Sequence, residues 1–403
     1  MTSQPNLPEA ELLTAIDAWR ARVAHDRMAP AVRYFDQTIS VAGLDEMSDA
    51  LASWLQDRAV GLGDRVGVQM QNIPAFVMAL LAVWKAGGSV VLLNPMYHGR
   101  ELRELLENSA PVGVICGDDL TSHVQTASTD SSVSWIVSAS AGDYQSRFDR
   151  RVFANFHRHA PAVDGDLREL IARNSGRVPR HVELGPNDIA LFSYTSGTTG
   201  PPKGATNTHG NVMAVATTFA LWSNVESGDV VFALAPLFHI TGAVINAVLG
   251  LVHDTTLVLA GRFNPEVTLT AFAENRVTYT ICSITVFNSL MTVNDRSAQW
   301  LSSAKFLYSG GAPIAPATVE RFEHEYGLYV HNAYGLTETT SGVVAVPAGH
   351  RAPIDLASGT LSIGKALPGV SIQIVRPNGD PVDLGEEGEL TISGPQVIPG
   401  LLE

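Results

Sequence analysis

Residues 194–204 read YTSGTTGPPKG and place glycines, hydroxyl side chains and one of the chain's four lysines in one short stretch. The apolar residues 187–193 before it are predicted to form a strand, and residues 208–222 after it a helix. The stretch is therefore predicted to be a loop that joins a strand to a helix. Its hydroxyls, its backbone N–H groups and the ammonium group of Lys203 suit an anion, most of all a phosphate.

Two other interpretations of this loop are weaker. An ordinary surface turn explains the Gly and Pro content, but a turn requires neither the hydroxyls nor Lys203. The phosphate loop of P-loop NTPases ends in Gly-Lys followed by Ser or Thr. Here Lys203 follows Pro202 and precedes Gly204, so the loop does not match that motif.

Two further stretches carry residues that suit a ligand, and each follows a predicted strand. Residues 236–242, PLFHITG, put His239 where a strand ends, although a single histidine is usually structural. Residues 309–316, SGGAPIAP, contain Gly310 and Gly311, which allow a flat ligand to lie against the backbone. Taken alone, residues 309–316 are better explained as a turn.

Residues 332–340, NAYGLTETT, are the most informative of the four stretches. Tyr334 offers an aromatic face, Gly335 a close approach, Thr337 a hydroxyl and Glu338 a carboxylate. This order suits a nucleotide base, then a phosphate, then a magnesium ion. The alternative is an ordinary junction between a strand and a loop, with a threonine that caps it.

All four stretches follow predicted strands, and this shared position is the main reason to group them. In open α/β sheets, ligands bind beyond the carboxyl ends of the strands. Four loops with ligand-like chemistry at one edge are hard to explain as four unrelated turns. We therefore expect them to form one nucleotide site.

The elements that must position these loops alternate between strand and helix. Alternation at this spacing indicates mostly parallel sheets covered by helices. The predicted strands are 65–70, 89–93, 111–116, 187–193, 229–235, 255–259, 278–282 and 304–308, and the predicted helices are 44–57, 74–86, 99–109, 208–222, 242–252, 265–275 and 286–293.

The fold class predicted from this pattern is α/β: two packed α/β subdomains with mostly parallel sheets, followed by a small antiparallel β unit. The subdomains are expected at about 30–185 and about 186–345. From about 359 the sequence shows short alternating strands with Gly-rich turns, so the β unit is expected at about 346–403. Residues 73–93 are long and apolar, but Pro74 and Gly87 divide them into a buried helix and a buried strand.

Composition limits the classes of function. The net charge is -14, so a nucleic-acid partner is not expected. Cys116 and Cys282 lie in apolar runs, which is typical of buried thiols in a reducing compartment. The amino terminus does not resemble a signal peptide, so a cytoplasmic location is expected. His157 and His159, in a polar stretch, are interpreted as an exposed loop, not a metal site.

The motifs YTSGTTGPPKG, PLFHITG, SGGAP, NAYGLTETT and GELTISGPQV, in this order, resemble the adenylate-forming superfamily. Its members are acyl-CoA synthetases, firefly luciferases and peptide-synthetase adenylation domains, and the resemblance covers roughly residues 30–400. It implies an acyl-CoA synthetase-like N-terminal domain that activates a carboxylic acid with ATP and Mg²⁺ to an acyl-adenylate and passes the acyl group to coenzyme A.

The resemblance also implies site residues. The mobile loop over the β- and γ-phosphates corresponds to Thr195, Ser196, Gly197, Thr198, Thr199, Gly200 and Lys203. The adenine and acyl site corresponds to Gly310, Gly311, Ala312 and Pro313, with adenine held by Asn332, Ala333, Tyr334 and Gly335. Thr337 is expected at the α-phosphate, Glu338 at the magnesium ion and His239 beside the acyl pocket; Lys203, His239, Thr337 and Glu338 are the expected catalytic residues.

The expected acid is a fatty acid. Amino-acid-activating members resemble one another in an Asp after the Phe of the second stretch, and here that residue is His239. The following residues, 240–250, are apolar and small, which suits an apolar acyl chain. An aryl acid, a non-catalytic module that binds ATP or acyl-adenylate, and a P-loop-like ATPase stay as alternatives; contact with a membrane surface is also considered.

The chain ends where the resembled family continues with a segment whose Asp holds the ribose and with a C-terminal catalytic domain. A catalytic lysine of that domain has no counterpart among Lys85, Lys203, Lys305 and Lys365. The sequence is therefore expected to be the large N-terminal domain alone, weak in adenylation and inactive in transfer to coenzyme A.

Overall fold

The structure is a computed structural model that describes residues 13–195, 202–294 and 297–402. The strands in these ranges are β1 Pro30–Tyr34, β2 Gln37–Ser40, β3 Arg65–Gln69, β4 Ser89–Leu92, β5 Gly113–Gly117, β6 Ile136–Ala139, β7 Ile189–Tyr194, β8 Gly204–Thr208, β9 Val230–Phe232, β10 Thr256–Leu259, β11 Tyr279–Cys282, β12 Phe306–Ser309, β13 Val330–Leu336, β14 Ser341–Ala345, β15 Lys365–Ala366, β16 Ser371–Val375 and β17 Glu389–Ser393.

The α-helices are α1 Ala15–His25, α2 Val41–Asp57, α3 Pro74–Ala86, α4 Gly99–Ser109, α5 Thr121–Ala127, α6 Arg150–Phe153, α7 Leu167–Arg173, α8 His209–Trp222, α9 Leu249–Val252, α10 Pro265–Asn275, α11 Ile284–Leu290 and α12 Pro316–Tyr326. Residues Gly242–Val248 form a π-helix that runs into α9, so the helix predicted over 242–252 exists but begins with wider turns. A short 3₁₀ turn, Thr337–Thr339, follows β13.

The strands form two large sheets and one small one. The first sheet has the order β6-β5-β3-β4-β7-β8 and the second the order β15-β14-β13-β12-β11-β9-β10-β1-β2. Neighbours pair in parallel through the middle of both sheets, and antiparallel pairs lie at one edge of the first sheet and at both edges of the second. Strands β16 and β17 form a separate antiparallel pair. This confirms the predicted α/β class with mostly parallel sheets and a small antiparallel unit.

Strand pairing crosses the predicted subdomain boundaries. Strands β1 and β2 belong to the second sheet although they precede residue 41, and β7 and β8 belong to the first sheet although they follow residue 186. Pairing between strands so distant in the chain leaves no local sequence signal. The division of the chain into three units stays a prediction.

Helix α3 shows how local signals set an element's ends. Pro74 occupies the first turn, where its missing N–H costs nothing, and Gly87 ends the helix in the left-handed conformation with φ of 96°. Strand β4 begins two residues later. The predicted division of residues 73–93 into a buried helix and strand is therefore confirmed. Among the described residues, no helix is both long and apolar enough to cross a membrane.

Helix α8 connects the hairpin of the first sheet with the second sheet. It packs on β7 and β8 and also on β14. The approach to β14 is close, since a Cβ on Gly342 would lie 2.6 Å from the ring of Phe219. The helix begins with a capping box, in which Thr208 and Asn211 bond each other's backbone N–H groups. Helix α8 thus packs against strands of both large sheets and holds them together.

Candidate nucleotide site

The described residues of the first stretch, 194–195 and 202–204, belong to or adjoin the strands β7 and β8. Tyr194 pairs with Gly204, the Thr195 N–H donates to the Lys203 carbonyl oxygen at 3.0 Å, and the Lys203 N–H donates to Thr195 Oγ1 at 3.3 Å. The side chain of Lys203 is exposed. These bonds close the base of the loop and hold Lys203 at its rim. The other predicted loop residues, Ser196, Gly197, Thr198, Thr199 and Gly200, lie outside the described residues.

The prediction that this loop joins a strand to a helix is wrong. Residues Gly204–Thr208 form β8, antiparallel to β7, and α8 begins only at His209. The five residues GATNT carry no apolar alternation, so the sequence gives no sign of a strand there. The stretch therefore lies between two antiparallel strands, and α8 begins six residues beyond Lys203.

The third stretch follows β12, which pairs in parallel with β13 so that Ser309 lies opposite Asn332. A Cβ on Gly310 would lie 3.0 Å from the Ala333 carbonyl oxygen, so the two stretches are in contact. Gly311 has φ of 82° and open space where a Cβ would be. Ala312 and Pro313 after it are exposed. The backbone here offers a flat, accessible surface beside β13.

The fourth stretch occupies the end of β13 and the 3₁₀ turn. Tyr334, Thr337 and Glu338 are each half-buried, so each side chain keeps an accessible part. Gly335 lies against β14, since a Cβ on it would be 1.7 Å from the Ser341 carbonyl oxygen. Only glycine fits at that position, and its close approach sets the path of the chain into the turn that carries Glu338.

Asn332 and Ala333 lie deeper than predicted for residues that touch a ligand. Both are buried, and Asn332 Nδ2 donates to the Ser362 carbonyl oxygen at 3.2 Å. The Asn332 side chain therefore ties residue 362 to β13. A role for either residue in holding adenine stays a prediction.

The second stretch is bonded to Ser341, the residue directly after the fourth stretch. Ser341 Oγ donates to Thr241 Oγ1 at 3.0 Å. His239 Nδ1 accepts from the Thr241 N–H at 3.4 Å, which leaves Nε2 to carry the proton of the neutral ring. The His239 side chain is exposed, while desolvation of the ring by the protein atoms around it lowers its pKa. His239 is therefore neutral at pH 7.

A buried hydrogen-bond network that the sequence analysis missed joins the hairpin to the turn. Ser193 Oγ donates to Asn207 Oδ1 at 2.7 Å, and Asn207 Nδ2 donates to Thr340 Oγ1 at 3.0 Å and to the Thr337 carbonyl oxygen at 3.4 Å. All three side chains that bond here are buried. The sign of this network in the sequence is the polar residue Asn207 within a short strand, but the sequence does not predict β8.

A second connection comes from residues 395–402. The Ile398 N–H donates to the Glu338 carbonyl oxygen at 3.0 Å, and Asn211 Nδ2 donates to the carbonyl oxygens of Pro395 and Val397. The Thr206 N–H and Oγ1 both donate to the Gly400 carbonyl oxygen. This segment therefore crosses from α8 to the Glu338 turn and to β8. Together with the Gly310–Ala333 and Thr241–Ser341 contacts, these bonds connect residues in or next to each of the four predicted stretches.

Metal ligands are sparse. The described residues contain no group of three or more His, Cys, Asp or Glu side chains that could hold a metal ion. His157 and His159 lie with ring centroids 5.1 Å apart. Magnesium in nucleotide enzymes is commonly held by one or two carboxylates together with substrate phosphates. The half-buried carboxylate of Glu338 beside the Thr337 hydroxyl fits that kind of site.

The model of the family described as AMP-binding enzyme matches residues 19–402. The chain is an AMP-binding enzyme. This family is the adenylate-forming superfamily that the sequence motifs resemble, and it includes acyl-CoA ligases, so the predicted membership is confirmed.

Two curated relatives show the range within the family. A long-chain-fatty-acid–CoA ligase of Haemophilus influenzae is 27% identical over 421 residues, which cover 99% of this AMP-binding enzyme and 72% of the relative. A feruloyl-CoA synthase of an Amycolatopsis species is 29% identical over 388 residues, which cover 96% of this chain and 71% of that relative. The similarity to ligases of fatty and of aryl acids is thus about equal.

A solved structure supports the fold. The anthranilate CoA ligase AuaEII, in complex with anthranoyl-AMP, superimposes with a TM-score of 0.84 at 18% identity, over 97% of this chain and 71% of that one. At this identity the likeness concerns the fold alone.

Proposed function

We propose that this AMP-binding enzyme activates a fatty acid with ATP and Mg²⁺ to a fatty acyl-adenylate and pyrophosphate, and that coenzyme A is the acyl acceptor. The observation that carries the proposal is the junction around β13. There the backbone of Gly310 and Gly311, the Tyr334 ring and the Thr337–Glu338 turn lie at the ends of the paired strands β12 and β13. The β7–β8 hairpin that carries Lys203 meets them from the other sheet, where Asn207 bonds the Thr337 carbonyl oxygen. Strand ends in α/β sheets are the usual place for a nucleotide.

The residues suit successive parts of ATP. Tyr334 supplies an aromatic face for adenine, and the backbone at Gly310–Gly311 allows the base to lie flat. Thr337 supplies a hydroxyl for the α-phosphate and Lys203 an ammonium group for the β- and γ-phosphates. When magnesium binds, Glu338 supplies its protein carboxylate, and the ion neutralises phosphate charge.

The chemistry needs charge stabilisation more than proton transfer. A carboxylic acid is already ionised at neutral pH, so its attack on the α-phosphorus requires no general base. The attack builds negative charge on phosphate oxygens, which positioned donors stabilise. We therefore assign His239 to a wall of the acid site, because an ionised carboxylate leaves no proton for it to remove.

The fatty acid is preferred because the residues after His239 are apolar and because long-chain-fatty-acid–CoA ligases are among the relatives. An aryl acid is a second candidate, since a feruloyl-CoA synthase is 29% identical to the chain. No carboxylate stands at the His239 position to pair with the ammonium group of an amino acid.

ATP–pyrophosphate exchange with a panel of acids tests this proposal. Decanoate and palmitate represent fatty acids, ferulate and benzoate aryl acids, and leucine is the amino-acid control. We expect exchange that depends on a fatty acid and on Mg²⁺. ATP hydrolysis without any acid would instead indicate an ATPase, and ATP binding without exchange would indicate a non-catalytic module.

A further inference from the structure

Asn207 lies at the junction of the hairpin with the proposed ATP site, four residues after Lys203 and with no solvent-exposed surface. We infer that Asn207 is a positioning residue. It holds the Thr337–Thr339 turn, and with it Glu338, at a fixed position relative to the β7–β8 hairpin that carries Lys203. This inference rests on the proposed function, because Thr337 and Glu338 are the residues that it positions.

The orientation of the Asn207 amide is fixed by its neighbours. The Thr337 carbonyl oxygen can only accept a hydrogen bond, so the group that faces it must be the NH₂ of Asn207. The carbonyl oxygen of the amide then faces Ser193, whose hydroxyl donates to it at 2.7 Å. A flipped amide would place two acceptors against each other at Thr337. The network therefore works in one orientation only and requires a donor at Nδ2.

The turn that Asn207 holds has an unfavourable backbone. Thr340 has φ of 53° and Ser341 φ of 98°, and neither residue is glycine. Non-glycine residues in this region persist only where surrounding contacts hold them. Asn207 Nδ2 donates to the Thr340 hydroxyl oxygen at 3.0 Å and to the Thr337 carbonyl oxygen. It therefore bonds the chain on both sides of Glu338.

The consequence is a link between two parts of the proposed site that come from different sheets. Ser193 belongs to β7 and Asn207 to β8 in the first sheet, whereas the turn follows β13 of the second sheet. Without the amide donor, the distance between Lys203 and Glu338 is no longer set by direct bonding at this point. Misplacement of a reacting group by about 1 Å costs on the order of 100-fold in rate.

If Asn207 had a purely structural role, its substitution would lower the stability of the fold and leave the Mg²⁺ dependence of the folded enzyme unchanged. We therefore compare Asn207→Leu and Asn207→Asp with a matched control, Asn275→Leu. Asn207→Asp keeps the shape and the acceptor for Ser193 but removes the amide donor. Asn275 is also buried and bonds the Ala271 carbonyl oxygen at 3.0 Å, but it ends α10, which is not one of the four site stretches.

The experiment measures ATP affinity by calorimetry over a series of Mg²⁺ concentrations, and ATP–pyrophosphate exchange with decanoate. For Asn207→Leu and Asn207→Asp we expect kcat for exchange to fall about 100-fold and the half-saturating Mg²⁺ concentration to rise about tenfold, with an unchanged KM for the acid. Asn275→Leu should retain the wild-type Mg²⁺ dependence.

Exchange that falls only in proportion to the folded fraction, with unchanged Mg²⁺ dependence, would overturn the inference while leaving the proposed function intact. If the Asn207 variants do not fold, Thr340→Val and its conservative partner Thr340→Ser make the same test, and only the valine variant should lose activity. A wild-type chain that shows neither Mg²⁺-dependent ATP binding nor exchange would refute the proposed function, and this inference with it.

Discussion

His209, the first residue of α8 and the residue directly after β8, should make the stability of this enzyme depend on pH. The imidazole has no exposed surface, packs edge-on against Trp84 with ring centroids 5.3 Å apart, and makes no ring hydrogen bond with the described residues. Burial lowers its pKa from 6.5 to about 4. Above pH 6.5 the ring is neutral in both the folded and the unfolded chain, and it contributes nothing to the pH dependence.

As the pH falls below 6.5, the unfolded chain binds a proton that folded His209 does not take up until about pH 4. The free energy of unfolding therefore decreases, by about 2 kcal/mol between pH 7.5 and pH 5 from this residue alone. Urea denaturation at both pH values should show that His209→Phe loses about 2 kcal/mol less than the wild type. The exposed His181, changed to Gln, serves as the control and should not alter the difference.

Equal losses of stability in the wild type and in His209→Phe would refute this reasoning. That result would mean that folded His209 binds a proton as readily as the unfolded chain does. The comparison is insensitive to the other buried histidines, because they are present in both proteins.

Three further perturbations test individual residues. Glu338→Ala should lower Mg²⁺-dependent exchange by about 10²–10³-fold without changing the circular dichroism spectrum. The control Glu320→Ala, on the exposed face of α12, should leave exchange unchanged, and retained activity of Glu338→Ala with the same Mg²⁺ requirement would argue against the metal role. His239→Phe should change the order of preference among acids more than the maximal rate. A uniform loss for all acids, together with a wild-type rate that titrates below pH 6.5, would show an acid–base role instead. Arg22→Met should lower the free energy of unfolding by about 3–5 kcal/mol in urea denaturation, because the buried guanidinium bonds the carbonyl oxygens of Gly250, Leu251, Thr255 and Pro30; a loss below about 1 kcal/mol would mean that these carbonyls find other partners.

The sequence predicts elements well where local chemistry sets their ends. Pro74 and Gly87 delimit α3 because proline fits a first helical turn and glycine a left-handed cap. The short strand β8 was not predicted, because its residues lack alternation and its pairing with β7 depends on the fold around it. Its absence from the prediction also led to the wrong expectation that the phosphate loop ends at a helix.

The candidate site follows the same division. Lys203, Tyr334, Thr337 and Glu338 are recognisable because their chemistry appears within contiguous motifs. Asn207 is not, because its partners Thr337 and Thr340 lie about 130 residues further along the chain and meet it only through the packing of two sheets. Contacts of this kind depend on tertiary structure, and a motif does not contain them.

The most direct test of the central claim follows the oxygen atoms of the acid. If the carboxylate attacks the α-phosphorus of ATP and displaces pyrophosphate, one carboxylate oxygen becomes the bridge to AMP. That oxygen stays with AMP when coenzyme A or water attacks the carbonyl carbon and takes the acyl group. With decanoate labelled with ¹⁸O in its carboxylate, mass spectrometry should detect pyrophosphate and AMP that carries one ¹⁸O atom. Formation of ADP and inorganic phosphate, or of AMP without the label, would contradict the proposed activation of a carboxylic acid.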